Sequence, residues 1–437
     1  MSKNYSENVK VQVALDLMNL DRAVQIAKEA VEGGVDWIEV GTPLIKSEGM
    51  NAVRTLKKEF PDHKIVADMK IMDVGSLEVE MASKAGADIV IILGVSDNST
   101  ILEAVEAGKK YGSQIMVDLI NVNNYIERAI TLEKMGVDII CIHIGIDQQV
   151  LGMNPVKITK EINEVISNVK LAIAGGLNSE TAPLAVEAGA EVLIIGHAIT
   201  AAESPTEAVK TIKKAIKTGK PIESKLMKKY NEQEFYKVFS LVSTPNISDA
   251  MHRHPCLEGI RPVWKGAKLV GRAVTVRCYN GDWSKPVEAI DIAQKGDVIV
   301  IDEGGGDIAV WGELASWSCK MKGINGVVID GAIRDVEDIA KIEFPAFSRF
   351  IKSNAGDPKG FGEVNIEIDC GGQKIRPGDW IIGDDNGVIV IPKEKAREMA
   401  NRAIMIHENE NRIREEIKRG STLSKVLKLK KWEKVLG

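Results

Sequence analysis

Apolar residues in the first half of the chain fall into eight short runs: Val11–Leu17, Trp37–Gly41, Lys64–Lys70, Asp88–Gly94, Gln114–Ile120, Asp138–Ile144, Lys170–Gly176 and Glu191–His197. Each has strand length and is rich in β-branched residues. Between them lie stretches such as Asp21–Glu32 and Ser99–Lys110, in which apolar positions recur at helical spacing. Four of the helical stretches run out in glycine and meet an acidic residue that opens the next strand: Gly33-Gly34-Val35-Asp36, Gly86-Ala87-Asp88, Gly136-Val137-Asp138 and Gly189-Ala190-Glu191. Glycine after a helix takes the left-handed C-cap conformation. Eight strand–helix pairs in about 210 residues predict a (β/α)8 TIM barrel. A doubly wound sheet is the alternative, and the even spacing favours closure.

The beat breaks at Lys217-Thr218-Gly219-Lys220-Pro221, where glycine, proline and charge mark a linker. The expected division is therefore a barrel over 1–218, a linker over 219–229 and a second α/β domain over 230–437. In the second domain a helix is expected near Tyr230–Leu241, and strands over Lys268–Arg277, Asp297–Asp302 and Val327–Asp330. A charged helical tail follows Lys393, with an apolar stripe at Ala396, Met399, Ala400 and Ile404 that reads as a packing face. The final basic stretch, Lys425–Lys434, reads as a solvated end.

Composition narrows the function. A net charge of −5, from 57 basic and 62 acidic residues, gives no electrostatic footprint for nucleic acid. Aromatic residues make up 5% of the chain, too few for base-stacking platforms. No apolar run approaches the ~20 residues of a membrane span. Cys141, Cys256, Cys278, Cys319 and Cys370 are widely spaced and form no Cys-x-x-Cys, which predicts reduced thiols in a cytoplasmic protein. The N-terminus shows no signal-peptide pattern.

Candidate chemistry gathers at the strand ends. In a (β/α)8 barrel the reaction site lies at the C-terminal ends of the strands. Those ends carry Asp16, Glu39, Asp68 with Lys70, Asp118, His143, Gly175-Gly176 and Gly196-His197. Each alone has an ordinary structural explanation, but their shared placement does not. Glu39 and Asp68 are hard oxygen ligands suited to Mg2+. Lys70 lies between Asp68 and Asp73, which keeps it charged and aimed. Glycines after the seventh and eighth strands let backbone N–H groups close on a phosphate, with His197 contributing its backbone rather than its ring. His143 is the candidate proton carrier. These residues point to a divalent-metal enzyme that enolises a small sugar phosphate.

The segments Ala14-Leu15-Asp16, Ile38-Glu39-Val40-Gly41-Thr42-Pro43-Leu44, Ala67-Asp68-Met69-Lys70-Ile71-Met72-Asp73, Val117-Asp118-Leu119-Ile120 and Ile142-His143-Ile144-Gly145-Ile146-Asp147-Gln148-Gln149 resemble 3-hexulose-6-phosphate synthase, of the orotidine-5′-phosphate decarboxylase suprafamily. The resemblance covers residues 10–217. It implies a Mg2+-dependent, reversible aldol reaction of D-ribulose 5-phosphate with formaldehyde. It further implies that Glu39 and Asp68 bind Mg2+, that Asp16, Lys70 and Asp73 form a charged network, and that His143 moves the C1 proton. Asp147 would orient the site, and Asp73 would reach into the partner barrel of a dimer. Gly175, Gly176, Gly196 and His197 would bind phosphate. The related 3-keto-L-gulonate-6-phosphate decarboxylases share the Asp-x-Lys-x-x-Asp motif but favour an arginine shortly after the barrel histidine, which this chain lacks.

In the second half, Asp302-Glu303-Gly304-Gly305-Gly306-Asp307 lacks the spacing and lysine of a nucleotide loop. His252 and His254 have no third ligand nearby in sequence and read as structural or solvent-facing. Gly312-Glu313-Leu314 opens a helix after this glycine-rich region and could cradle a carboxylate with backbone N–H groups. Arg334 can hold a carboxylate or carbonyl oxygen, and Asp335 can ligate a hard cation. Glu313 followed at fixed spacing by Arg334-Asp335, with the tail Pro377–Val388, resembles the RraA-like family over about residues 230–415. That family includes 4-hydroxy-4-methyl-2-oxoglutarate aldolases and an inhibitor of ribonuclease E. The resemblance implies a swivelling α/β domain and trimers or hexamers. It also implies a Mg2+ or Mn2+ site with Asp335 as ligand, Glu313 acting through water and Arg334 on a pyruvate-like oxygen. The whole chain then resembles an archaeal-type fusion enzyme. A non-catalytic second half that binds ribonuclease machinery is the competing expectation.

Overall fold

The computed structural model of the chain describes residues 8–145, 155–224, 226, 230 and 232–427. Contacts divide it into two compact units, Met1–Lys228 with Glu408–Gly437, and Lys229–His407.

The first unit is a closed barrel of eight strands in chain order. The strands are β1 (Lys10–Leu15), β2 (Trp37–Val40), β3 (Lys64–Ile71), β4 (Ile89–Leu93), β5 (Gln114–Asp118), β6 (Ile139–His143), β7 (Lys170–Ala174) and β8 (Val192–Ile195). Each neighbouring pair is parallel, including β1 with β8. Helices such as Leu20–Gly33 and Asn98–Tyr111 return the chain, as their amphipathic spacing predicts.

Although the strands are buried on both faces, their residues still alternate. In β4, Ile89 and Ile91 fill the barrel interior while Val90 and Ile92 pack under the helices. Trp37, Val66, Met116, Cys141 and Ala14 belong to the same interior cluster. Two residues further along their strands come Glu39, Asp68, Asp118, His143 and Asp16. Period-2 alternation therefore sets these polar groups as one layer on top of an apolar plug.

The acidic residues that open the strands have a structural task at the opposite end. Asp36 accepts from the Val11 amide at 2.9 Å, Asp88 from Ile65 at 2.8 Å and Asp138 from Ile115 at 2.8 Å. Each satisfies the amide of the second residue of the preceding strand. Gly34, Gly112 and Gly136 end their helices at φ 95°, 81° and 76° and make the sharp turns that set this up.

The second unit holds a mixed sheet. Its strands are β9 (Arg261–Pro262), β10 (Leu269–Arg277), β11 (Val298–Asp302), β12 (Gly326–Ile333), β13 (Ala346–Ile351), β14 (Glu363–Val364), β15 (Ile368–Cys370), β16 (Gln373–Ile375), β17 (Trp380–Asp384) and β18 (Gly387–Ile391). The order is β18-β17-β10-β11-β12-β13-β9, with β14 on β10 and β15-β16 as a separate pair. β10 to β13 are parallel, and β17, β18 and β9 are antiparallel at the two edges. Alternation again separates two cores: Ile299 and Ile301 face one, Val298 and Val300 the other. The five cysteines are free thiols, four of them buried.

The helix Ala396–Lys418 shows why the linear division differs at the C-terminus. Its first half, through Ala396, Met399, Ala400, Ala403 and Ile404, joins the core of the second unit. Its later residues Arg412 and Glu416 bond to Glu29 and Arg22 of the barrel. No sequence periodicity marks that change of partner.

One carboxylate of the second unit is paired with amides rather than cations. Glu303 accepts from the Gly281 amide at 2.9 Å and the Ala332 amide at 2.8 Å. Burial pushes its pKa up to about 7, against the pull of those two amides, with Asp307 and Asp330 adding repulsion. Ionising Glu303 therefore costs the folded state. That stability is full below the ordinary value of 4.5 and is lost as pH rises through about 7.

Two outcomes are expected. Asp88→Ala should destabilise the barrel by about 2 kcal/mol, seen as a fall of about 4–8 °C in its thermal midpoint; an unchanged midpoint would mean that water serves the Ile65 amide equally well. The second unit should melt at a lower temperature at pH ~8 than at pH ~5, and Glu303→Gln should flatten that dependence. A profile equally steep in the variant would assign the effect elsewhere.

Candidate functional site

The barrel mouth brings six of the expected residues together. Glu39 and Asp68 are each 4% exposed. Glu39 accepts from Gln12 Nε2 at 2.5 Å, and Asp68 accepts from Thr42 Oγ1 at 2.6 Å. Lys70 Nζ donates to Asp68 Oδ2 at 2.9 Å and to Asp118 Oδ2 at 3.2 Å. His143 Nδ1 lies 2.7 Å from the same Asp118 oxygen. Asp118 Oδ1 is held by the Ile120 amide at 2.8 Å.

Lys70 reaches this position through a distorted backbone. The β3–β4 register shifts between Ala67 and Ile71, a bulge. Lys70 itself has φ 49°, a left-handed conformation that costs about 1–3 kcal/mol for a non-glycine residue. Two carboxylates compensate by anchoring its ammonium. Burial alone would lower the Lys70 pKa; Asp68 and Asp118 override it and hold the group charged above its ordinary value.

The carboxylates divide into two kinds. Burial would raise the Asp118 pKa, but His143, Lys70 and the Ile120 amide outweigh it and hold it low. Asp118 is thus held as an anion, so the hydrogen between it and His143 sits on Nδ1. Glu39 is pushed well above the carboxylate range, by burial first and then by Asp68 and Asp16. Asp16 is raised too, by burial first and then by Asp68, although Lys70 and His143 oppose this. Water still reaches part of Asp16, which softens its shift.

This side of the mouth is short of positive charge. Asp68 Oδ1 is buried without a hydrogen-bond partner, and so is Gln12 Oε1. An unmatched oxygen beside a second buried carboxylate is the environment a hard divalent cation fits. Among the described residues no group of three or more His, Cys, Asp or Glu side chains is gathered as a complete metal cage. Two carboxylates are enough for Mg2+, which keeps several waters.

Other expected residues are placed as follows. Asp73 is exposed, on the turn before the helix Gly75–Lys84 and away from Lys70's bonds. Asp147 lies outside the described residues. Gly175 and Gly176 turn the chain after β7 at φ 109° and 68°, conformations that disfavour a side chain. A Cβ on Gly175 would also lie 2.6 Å from the Ile144 carbonyl oxygen. Gly196 and His197 follow β8, and His197 Nε2 is 2.9 Å from Glu408 Oε2.

In the second unit, Gly312 caps the helix Glu313–Lys322. The Glu313 amide donates to Asp335 Oδ2 at 3.2 Å, and Arg334 Nε lies 3.5 Å from that oxygen. Asp335 has φ 59°. A Cβ on Gly312 would lie 2.5 Å from Asp335 Oδ2, so glycine is required for this approach. Glu313, Arg334 and Asp335 are therefore neighbours, while the Leu314 side chain is 80% exposed. His254 Nε2 meets Gln373 Oε1 at 3.1 Å, and His252 is exposed.

Several participants were not assigned roles from the sequence. Asp118 stands at the centre of the Lys70–His143 pair. Thr42 and Gln12 hold the two carboxylates; a polar residue inside the apolar Val11–Leu17 run was the available signal for Gln12. Nothing in the sequence marks Glu408 as a partner of a residue 211 positions away.

Comparison with known proteins matches each unit to a family. The orotidine 5′-phosphate decarboxylase / HUMPS family matches residues 9–212, and the RraA-like (aldolase/RraA) family matches residues 244–390. A 3-hexulose-6-phosphate synthase of Bacillus subtilis is 41% identical over 211 residues, 48% of this chain and 100% of that protein. A protein of Methanocaldococcus jannaschii, described as uncharacterized, is 45% identical over 190 residues, 43% of this chain and 90% of its own. The crystal structure of a 3-hexulose-6-phosphate synthase from Salmonella typhimurium is 37% identical with a TM-score of 0.47, covering 48% of this chain and 100% of that one. The chain is thus an enzyme that belongs to the orotidine 5′-phosphate decarboxylase / HUMPS family through its barrel, to which an RraA-like domain is fused.

Proposed function

We propose that the barrel catalyses the reversible, Mg2+-dependent aldol reaction of D-ribulose 5-phosphate with formaldehyde, giving D-arabino-hex-3-ulose 6-phosphate. The observation that carries this reading is the Asp118-anchored pair of His143 and Lys70 beside the unmatched oxygen of Asp68. A proton acceptor, a fixed ammonium and a cation seat at one mouth would together serve this reaction. The relatives named 3-hexulose-6-phosphate synthase support the same reaction.

Each residue has a task in this chemistry. His143, with Nδ1–H engaged by Asp118, takes the C1 proton of ribulose 5-phosphate on Nε2. Lys70, held charged, donates to the oxygen that becomes negative as C1 loses its proton. Glu39 and Asp68 would hold Mg2+, which when bound supplies positive charge for the enediolate oxygens. C1 of the enediolate then attacks the formaldehyde carbon, and the new alkoxide takes up a proton. The turns Gly175-Gly176 and Gly196-His197 would hold the phosphate end through backbone N–H groups. Asp16 and Asp147 complete the proposed set.

A second copy of the barrel fits the surface near Asp73. Met72, Val74, Leu77, Met81, Val95 and Leu102 are exposed around the helices Gly75–Lys84 and Asn98–Tyr111. Apolar exposure on this scale, next to an acidic residue with no site of its own, supports a dimer in which Asp73 serves the partner mouth. The same carboxylates and lysine would also suit decarboxylation of 3-keto-L-gulonate 6-phosphate, and substrate assays separate the two.

For the second unit we propose metal-dependent aldol chemistry on a 2-oxo acid. Asp335 and Glu313 offer two hard oxygen ligands, and Arg334 beside them offers a bidentate grip for a pyruvate-like group. A ribonuclease-binding role is the competing reading.

Asp68→Ala should abolish formaldehyde condensation and weaken Mg2+ binding; full activity in EDTA would contradict the metal role. His143→Asn should slow condensation by about 10²- to 10⁴-fold with little change in Mg2+ affinity. Arg334→Ala in the full chain should remove 2-oxo-acid aldol turnover and leave condensation intact. Ribonuclease capture with no such turnover in the wild type would favour the regulator.

A further inference from the structure

The barrel's eighth turn is held by a segment far outside the residues that match its family. Residues 9–212 carry that match, whereas Glu408 and Arg412 lie near the end of the chain. Glu408 is buried and its Oε2 is 2.9 Å from His197 Nε2. One helical turn on, Arg412 is 1% exposed, among the largest fully buried side chains of the protein. Its guanidinium donates to the carbonyl oxygens of Ala202 and Glu203 at 3.2 and 3.1 Å, and to both carboxylate oxygens of Glu29 at 3.3 and 3.0 Å. Its Nε donates to Glu416 at 2.8 Å, and Glu416 also accepts from Arg22. Arg419 adds a bond to the Glu203 carbonyl at 2.6 Å.

Residues 197–203 are thus gripped at both ends. Glu408 takes the first side chain, and Arg412 takes the last two carbonyls. A buried arginine with all three guanidinium nitrogens hydrogen-bonded is expensive to displace, so this grip is rigid. The His197 ring is thereby turned toward the C-terminal helix, which leaves its backbone to serve the mouth. The turn it opens is the one assigned above to the substrate phosphate.

We propose that Glu408 is a positioning residue for phosphate binding: it holds His197, and through it the Gly196–Ala198 backbone, in the conformation that receives the anion. The inference rests on the phosphate reading of that turn. The C-terminal helix is then part of the barrel's substrate site. Loss of the bond leaves the turn free to sample other conformations, so binding weakens while the proton-transfer residues, which sit on other strands, are undisturbed.

The test uses the full chain, with Glu408→Leu, Glu408→Gln and His197→Phe. Inorganic phosphate affinity is measured by calorimetry, and KM and kcat are measured with ribulose 5-phosphate. Glu408→Leu and His197→Phe should each raise the phosphate Kd and the KM by about 10- to 100-fold with kcat nearly unchanged. Glu408→Gln keeps an acceptor for the ring N–H and should stay near wild type. Unchanged phosphate affinity in Glu408→Leu, equal loss in Glu408→Gln, or a fall in kcat alone overturns the proposal. Wild-type protein that binds phosphate with this Glu408 dependence but does not condense formaldehyde refutes the reaction and supports the positioning role.

Discussion

The barrel site depends on one shared anion. Asp118 accepts from both Lys70 and His143 through a single oxygen, at 3.2 and 2.7 Å. A buried carboxylate of this kind is stable only with such partners. In satisfying it, the fold fixes an ammonium from β3 and an imidazole from β6 against one carboxylate of β5. The strained φ of Lys70 is sustained by the same two carboxylates that charge it. Structure and chemistry are therefore the same set of contacts.

Beside this satisfied anion, and linked to it through Lys70, lies a less satisfied group of three carboxylates. Glu39, Asp68 and Asp16 repel one another and are short of donors, and Asp68 keeps a buried oxygen with no partner. Folding tolerates that deficit because the apolar layer beneath, from Ala14 to Ile194, is closely packed and offsets a local penalty of a few kcal/mol. The deficit is what a cation would fill. The mouth thus holds one carboxylate matched by Lys70 and His143 and a group of carboxylates that is not fully matched.

Much of this was legible in the sequence. The eight runs became the eight strands, with ends shifted by a residue or two, because β-branched runs between glycine-capped helices have few other solutions. The strand-opening acids were visible, and the structure adds a reason for Asp36, Asp88 and Asp138: each accepts from an amide of the preceding strand. Asp68, Lys70 and His143 were found because charge at the end of a buried strand needs an explanation. The bulge that aims Lys70 was not legible, since an ideal strand already places Asp68 and Lys70 on one face. Thr42 and Gln12 support the carboxylates through contacts between strands, which spacing along one strand does not reveal. Glu408 and Arg412 look like ordinary members of a charged helix; only the fold brings them to His197 and Glu29.

The most direct test of the central claim is hydrogen exchange at C1 of ribulose 5-phosphate in D2O, without formaldehyde and with Mg2+ present. Wild-type protein should exchange one C1 hydrogen stereospecifically, and His143→Asn or Mg2+ removal should stop it. Exchange that survives both changes, or no exchange by an enzyme that still condenses formaldehyde, would contradict the claim.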